Sequence, residues 1–142
     1  MVAKQLSVFI ENRQGRLGEV LKVLKENNVN ILSLSLADTT EYGLLRLIVN
    51  NPELGKEKLA EDGFSTILTD VLVLKISHQS GSLQELLKAL SDNGANIEYM
   101  YGLSIDGDEA SVVLKTSNNA IAEEVLKNKG VTTLSTKDIS SL

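Results

Sequence analysis

Two short stretches of the sequence carry residue types suited to binding a small anion. They read NRQGRL over residues 12–17 and HQSGSL over residues 78–83, with a glycine at the same place in both. Each follows an alternating apolar segment and leads into a helical pattern of leucines. Backbone N–H groups and the helix dipole at such a helix start attract a carboxylate or a phosphate, and glycine allows close approach. A glycine needed only for the strand-to-helix turn is the alternative explanation.

Catalytic and metal chemistry have few candidate groups in this sequence. There is no cysteine and one histidine, His78, which excludes a thiol nucleophile and a cysteine- or histidine-rich metal site. No G-x-S-x-G nucleophile motif is present. The acidic stretch 106–109 lacks the length and spacing of an EF-hand and is predicted to form a hairpin turn. Residues 15–18, GRLG, match no nucleotide-binding glycine motif, so no cofactor is expected.

The two glycine stretches belong to an internal repeat. Gly15 falls on Gly81 when the sequence is shifted on itself by 66 residues (81 − 15 = 66). At this shift, 11 of the 26 positions from Leu6 to Ile31 are identical. No linker rich in proline, glycine or serine separates the two copies. The chain is therefore predicted to contain two similar domains, residues 1–70 and 71–142.

Both copies show the same order of elements. In the first, residues 6–10 alternate as in a strand, and the apolar positions of residues 17–24 have the spacing of an amphipathic helix. Asn51 and Pro52 suit the N-cap and the first position of a second helix. The order strand, helix, strand, strand, helix, strand occurs twice. It predicts an α+β fold of two ferredoxin-like βαββαβ units, each a four-stranded antiparallel sheet with two helices on one face.

In the second strand, the apolar residues occupy opposite sets of alternate positions in the two copies. Leu34 and Leu36 carry the apolar alternation in the first copy, whereas Tyr99 and Tyr101 carry it in the second. These positions do not coincide at a shift of 66. Either the second face of the sheet is also covered, by the other unit or by a second chain, or a bulge shifts one of the strands.

Charge and hydropathy limit the classes of partner. Lys and Arg total 14 against 19 Asp and Glu, which gives a net charge of −5 and disfavours a nucleic-acid surface. No apolar run approaches the about 20 residues of a membrane span, and the N-terminus does not read as a secretory signal. Together with the lack of cysteine, these features predict a cytoplasmic protein without membrane or nucleic-acid partners.

The repeated pattern resembles a known family. A polar-x-x-Gly-x-Leu turn, a leucine-rich helix and an N-N-V-N-I or N-G-A-N-I exit are similar to those of tandem ACT domains. The resemblance covers nearly the whole chain, and its specific part is residues 10–31 and 76–97. It implies sensing of a small molecule, most often an amino acid, held where the first-helix loop of one domain meets a neighbouring domain. Where the family commonly has Asp and Pro in the loop, this chain has Asn12 and Gln14, or His78 and Ser80.

A free amino acid would fit these loops through its two charged groups. Its carboxylate would meet N–H groups near each glycine, and its ammonium would meet the Asn12 side chain and nearby carbonyls. Asn30 and Asn96 are expected beside the loops, although an ordinary turn would also explain them. The predicted ligand-binding residues are Asn12, Arg13, Gln14, Gly15, Arg16, Leu17, Asn30, Ile31, His78, Gln79, Ser80, Gly81, Leu83, Asn96 and Ile97.

The sequence thus predicts a non-catalytic sensor of a free amino acid. It is expected to form a homodimer and to regulate a separate enzyme or regulator through a population shift. A ligand-free interaction adaptor is one alternative, and a small enzyme that uses the His78 loop is another. An RNA-binding ferredoxin-like module is a third, but only Tyr99 and Tyr101 could stack on bases and the net charge is unfavourable.

Overall fold

The computed structural model describes residues 1–11, 13–38, 42–77, 79–106 and 109–141. Within these residues there are seven strands and five helices. The strands are β1 (Ala3–Glu11), β2 (Ile31–Asp38), β3 (Tyr42–Val49), β4 (Ser65–Ser77), β5 (Ile97–Asp106), β6 (Glu109–Thr116) and β7 (Thr132–Leu134). The helices are α1 (Arg16–Glu26), α2 (Pro52–Glu61), α3 (Ser82–Asp92), α4 (Asn119–Asn128) and α5 (Thr136–Ser140).

The chain divides into two compact units. The first unit contains Lys4–Thr69 and the C-terminal residues from Ile139 onwards, and the second contains Asp70–Asp138 and Met1–Ala3. Strand β4 contributes its beginning to the first unit and its remainder to the second. The domain limits 1–70 and 71–142 stay a prediction.

The first unit is an antiparallel sheet with two helices. Its strands lie in the order β4-β1-β3-β2, and Leu6 of β1 pairs with Leu47 of β3. Alternate residues of these strands face α1 and α2, so their leucines and valines pack against Leu24 and Leu59. The alternation read from residues 6–10 therefore marks the core side of the sheet.

The second unit repeats this arrangement. Its strands lie in the order β7-β4-β6-β5, with Leu72 of β4 paired with Leu114 of β6. Leu90 of α3 and Leu126 of α4 pack on the helix-facing side of these strands. The predicted α+β fold of two βαββαβ units is confirmed, with β7 as a short fourth strand.

The second helix of each unit begins with an asparagine cap. The Asn51 side chain accepts a hydrogen bond of 3.2 Å from the Leu54 N–H, and Pro52 is the first helical residue. In the second unit, Asn118 accepts a bond of 3.1 Å from the Ile121 N–H. Both caps satisfy an N–H group that has no partner inside the helix. The predicted roles of Asn51 and Pro52 are confirmed.

The second strands of the two units have the same register as far as Leu36 and Gly102, and β5 has a further bulge between Gly102 and Ser104. Each carries a bulge directly after its first residue, Ile31 or Ile97. A register difference therefore does not explain the opposite apolar phases. Tyr99 and Tyr101 lie half-buried on the sheet face away from the helices, and the partner of Tyr101, Val113, is fully buried. The apolar alternation differs between the units because the second unit carries apolar side chains on the sheet face away from the helices. That face is largely buried in this unit.

A short C-terminal helix, α5, adds to the predicted elements. The Ser135 N–H donates to the Asp138 carboxylate over 2.9 Å, and the Asp138 N–H donates to the Ser135 hydroxyl over 3.1 Å. The bond from the Ser135 backbone, together with the hydroxyl of Ser135, lowers the pKa of Asp138. This reciprocal pair is a capping box that starts the helix.

The predicted hairpin turn at residues 106–109 is described only at its ends. Asp106 pairs with Glu109, and residues 107 and 108 lie outside the described residues. No helix in the described part of the chain is long and apolar enough to cross a membrane.

Candidate ligand-binding site

The two glycine loops have the same backbone conformation. Gly15 precedes α1 with φ +85°, and Gly81 precedes α3 with φ +87°, values that strongly favour glycine. Each glycine carbonyl accepts a bond of 3.0 Å from the N–H four residues later, at Glu19 or Glu85.

No side chain caps either helix. The first N–H group of each helix, at Arg16 or Ser82, donates to the Arg13 or Gln79 carbonyl over 3.2 Å. The next two N–H groups have no acceptor inside the helix and can serve a ligand.

The loop of the second unit borders a cavity of about 560 Å³. Its walls come from the end of β4, the glycine loop, the start of α3 and the hairpin of β5 and β6. They are formed by Ile76, Ser77, Gln79, Ser80, Gly81, Leu83, Gly102, Leu103, Ala110, Ser111 and Val112. None of these residues is charged. Among the described lining residues, a carboxylate would therefore meet backbone N–H groups and the helix dipole rather than a cationic side chain.

Gly102 keeps this cavity open. A Cβ atom at Gly102 would have no atom within 4 Å in the described structure. The repeat places Leu36 at the equivalent position of the first unit (102 − 66 = 36). A Cβ atom at Gly43, beside the first loop, would lie 3.3 Å from Leu36 Cδ1 and 3.4 Å from Ile10 Cγ1. The leucine side chain thus occupies space in the first unit that stays empty in the second.

The two arginine side chains of the first loop already contact other residues of the chain. The Arg16 guanidinium carbon lies 4.3 Å from the centroid of the Phe64 ring, and Arg16 forms an ion pair with Glu19. Arg13 Nε lies 3.9 Å from a carboxylate oxygen of Glu11. In the second unit, a serine stands at the position of Arg16. The two arginines predicted as ligand contacts therefore already have carboxylate partners within the chain.

The predicted loop residues separate into three groups. Asn12 and His78 lie outside the described residues. Arg13, Gln14, Gly15, Arg16 and Leu17 form the first loop, where Leu17 packs against the core of the first unit. Gln79, Ser80, Gly81 and Leu83 line the cavity of the second unit. Their contact with a ligand stays a prediction.

The asparagines at the start of the second strands do not lie beside the loops of their own units. Ile31 pairs with Val49, whereas Gly43 pairs with Ile10 at the loop end of the sheet. Six residues of strand separate these ends, a distance of about 20 Å. The expected position was wrong because β1 and β2 run in the same direction, so β2 starts where β1 starts.

These asparagines instead join the second strand to the end of the third. The Asn30 N–H donates to the Asn50 side chain over 2.9 Å, and the Asn96 N–H donates to the Ser117 hydroxyl over 3.0 Å. The residues that follow them, Ile31 and Ile97, are half-buried against the cores of their units. A turn role explains these contacts, and a role in binding stays a prediction for all four residues.

Sequence reasoning missed the wall of the cavity formed by the β5–β6 hairpin. Gly102, Ala110 and Val112 lie there, and none of them is in the predicted set. Sequence identity between the copies stops at Ile31, so the repeat did not point to the residues of this hairpin. A signal did exist: extending the shift of 66 residues sets Gly102 against Leu36, the loss of a large side chain at an otherwise apolar position.

A second cavity, of about 600 Å³, adjoins the first. The two share Gly81 and Leu83, and the second extends along α3 to Lys88. The Lys88 ammonium donates to the Asp92 carboxylate over 2.7 Å, and this hydrogen bond raises the pKa of Lys88. The nearest cation on this side is therefore already paired. Among the described residues, no group of three or more His, Cys, Asp or Glu side chains could hold a metal ion.

Comparison with known proteins agrees with this architecture. The profile of one protein family, the ACT domain pair, matches residues 1–142. The crystal structure of protein BT0572 from Bacteroides thetaiotaomicron is 40% identical, with a TM-score of 0.94 over 100% of this chain and 98% of that one. No protein of curated function matches the sequence.

More distant structures share the fold. The ligand-free regulatory subunit of aspartate kinase from Thermus thermophilus is 20% identical, with a TM-score of 0.64 over 89% of this chain and 90% of that one. The corresponding subunit from Thermus flavus is 19% identical, with a TM-score of 0.61 over 87% and 88%.

Proposed function

Because the chain belongs to the family of ACT domain pairs, we propose that it is a non-catalytic regulatory protein that binds a free amino acid. The family match covers the whole chain, and structures of the same fold include regulatory subunits of aspartate kinase. A regulatory role follows from the family, and the amino acid is inferred from the site.

The cavity at the start of α3 is the observation that carries this proposal. Its loop side offers uncapped N–H groups for a carboxylate, and the oxygens of Ser77, Gln79 and Ser80 can accept from an ammonium. Its remaining wall is largely apolar. An amino-acid zwitterion with its side chain matches this arrangement of a polar side and an apolar wall. A phosphate ester matches it less well, because its greater negative charge would require a cationic partner.

Regulation would work by a population shift. An amino acid that binds one conformation more tightly than another stabilises it, and the difference in affinity sets the size of the response. The regulated partner is a separate enzyme or regulator, and the protein acts as a cytoplasmic homodimer of chains with domains 1–70 and 71–142.

Thermal unfolding of the full chain with each of the twenty amino acids tests the proposal. A ligand at about 100 times its Kd adds about 2.7 kcal/mol to the free energy of unfolding, which raises Tm by roughly 5–10 °C for a chain of this size. The methyl ester of the active amino acid is the matched control. It lacks the carboxylate and should give no shift.

Two results would contradict this function. An absence of any shift with all twenty amino acids would favour a ligand-free adaptor. An equal shift with the ester would show that the carboxylate is not recognised.

A further inference from the structure

We propose that the second unit provides the only amino-acid site of each chain, and that the bound ligand has an uncharged apolar side chain packed against Gly102, Ala110 and Val112. This inference rests on the proposed function and specifies its ligand class and stoichiometry. Gly102 is then the residue that determines whether a unit can admit the ligand.

The distribution of polar atoms in the cavity supports an apolar ligand side chain. Ser77, Gln79 and Ser80 all lie on the loop side, close to the N-terminus of α3. Leu103, Ala110 and Val112 belong to the opposite hairpin wall, where Ser111 is the one polar residue among the described lining residues, and none of the described lining residues is charged. A charged ligand side chain placed here would lose its hydration without gaining a counter-charge. An aliphatic or aromatic side chain loses nothing of this kind and gains from burial.

In the first unit, part of this space is taken up although the loop has the same backbone. Leu36 stands at the position of Gly102, and its Cδ1 atom lies 3.3 Å from the place of a Cβ atom at Gly43, next to the loop. Arg16 lies over the Phe64 ring, and its side chain is only 17% exposed. A ligand side chain would compete for this space with the Leu36 side chain, which is 47% exposed. The comparison therefore assigns the binding function to one of the two copies.

Gly102 can be replaced without straining the backbone. Its φ lies outside the left-handed region, unlike that of Gly81, and a Cβ atom there meets open space. A bulge follows Gly102, between Gly102 and Ser104, which the first unit does not have after Leu36. A leucine at Gly102 nevertheless places the side chain of the first unit at the equivalent position and fills the cavity. Loss of binding in this variant would thus report occupation of the cavity rather than a damaged fold.

Isothermal titration of the full chain with leucine, phenylalanine, serine, aspartate and lysine tests the inference. The wild type is expected to bind one apolar amino acid per chain, more than about tenfold tighter than serine. Gly102→Leu should weaken this binding by about 30-fold or more, and Gly102→Ala should weaken it less. The matched control is Gly18→Leu, at an exposed glycine of α1, with unchanged affinity. Leu36→Ala should leave the affinity of the site in the second unit unchanged, although it opens space in the first unit.

The outcomes separate this inference from the proposed function. Two ligands per chain, a preference for a charged amino acid, or unchanged affinity in Gly102→Leu would each overturn the inference while leaving an amino-acid sensor. Loss of affinity in Leu36→Ala would place the ligand in the first unit. Failure of all amino acids to bind the wild type would remove the function and the inference together. Unfolding curves without ligand confirm that each variant is folded.

Discussion

The two units show how one backbone can be built twice and used differently. Both have a glycine loop of the same geometry in front of an uncapped helix, and both bury leucines at matching strand positions. They differ in the hairpin opposite the loop, where Leu36 of the first unit stands against Gly102 of the second. Shared positions in the repeat therefore build the fold, whereas an unshared position changes the space in front of the loop.

Substitutions in the two cores have the largest expected effect, and they test whether the two cores are packed equally well. Leu6→Ala and Leu72→Ala remove equivalent, fully buried side chains from β1 and β4. Each should lower the free energy of unfolding by about 2–5 kcal/mol, through lost burial and a residual cavity. Urea denaturation measures both values. Leu6→Met and Leu72→Met, which nearly conserve volume, should cost less than about 1.5 kcal/mol. A cost below about 1 kcal/mol for either alanine variant would show that its unit is loosely packed.

The second-largest effect is expected from substitutions that test whether the two glycine loops are equivalent. Gly15→Ala and Gly81→Ala place a Cβ atom in the left-handed region and should each cost about 1–2 kcal/mol. Denaturation should show equal losses, while titration should show weaker ligand binding only for Gly81→Ala. Gly18→Ala, inside α1, is the control and should stabilise the protein slightly, because alanine is the better helix former. Weaker binding in Gly15→Ala would break the assignment of the site to one unit.

The smallest effect concerns the arginine of the first loop. Arg16→Ser converts this position to its counterpart in the second unit and removes the contacts with Phe64 and Glu19. A loss of about 1 kcal/mol is expected in denaturation.

The reciprocal change, Ser82→Arg, should have almost no effect, because the second unit has Val131 in place of Phe64: the Val131 N–H bonds to the Leu126 carbonyl as the Phe64 N–H bonds to that of Leu59. Arg16 Nε is buried without a hydrogen-bond partner. A stability gain in Arg16→Ser would mean that burying this nitrogen costs more free energy than the contacts of Arg16 contribute.

Local sequence signals predicted the fold well. The strand alternation of residues 6–10 and the helix start at Asn51 and Pro52 depend on neighbours in the chain, so they can be read directly. Helix α5 escaped prediction because five residues are too few to show a helical period. Only its capping pair, Ser135 and Asp138, carried a signal.

The site was harder to predict because it is tertiary. The loop around Gly81 could be read from the sequence, since a strand, a glycine and a helix follow one another along the chain. The opposite wall depends on how β4 pairs with β6, which sets Ile76 beside Ala110. The error at Asn30 had the same origin: placing the start of a strand requires knowing its direction in the sheet.

The division of the chain has a consequence for its synthesis. The first unit includes residues from Ile139 onwards, and Ile139 is almost completely buried. Ile139 follows the whole of Asp70–Asp138 in the chain, so the first unit is completed only after the main segment of the second unit has been synthesised. The second unit conversely includes Met1–Ala3, which are synthesised before the first unit and pack only when the strands of the second unit follow. Each unit therefore depends on residues from both halves of the chain.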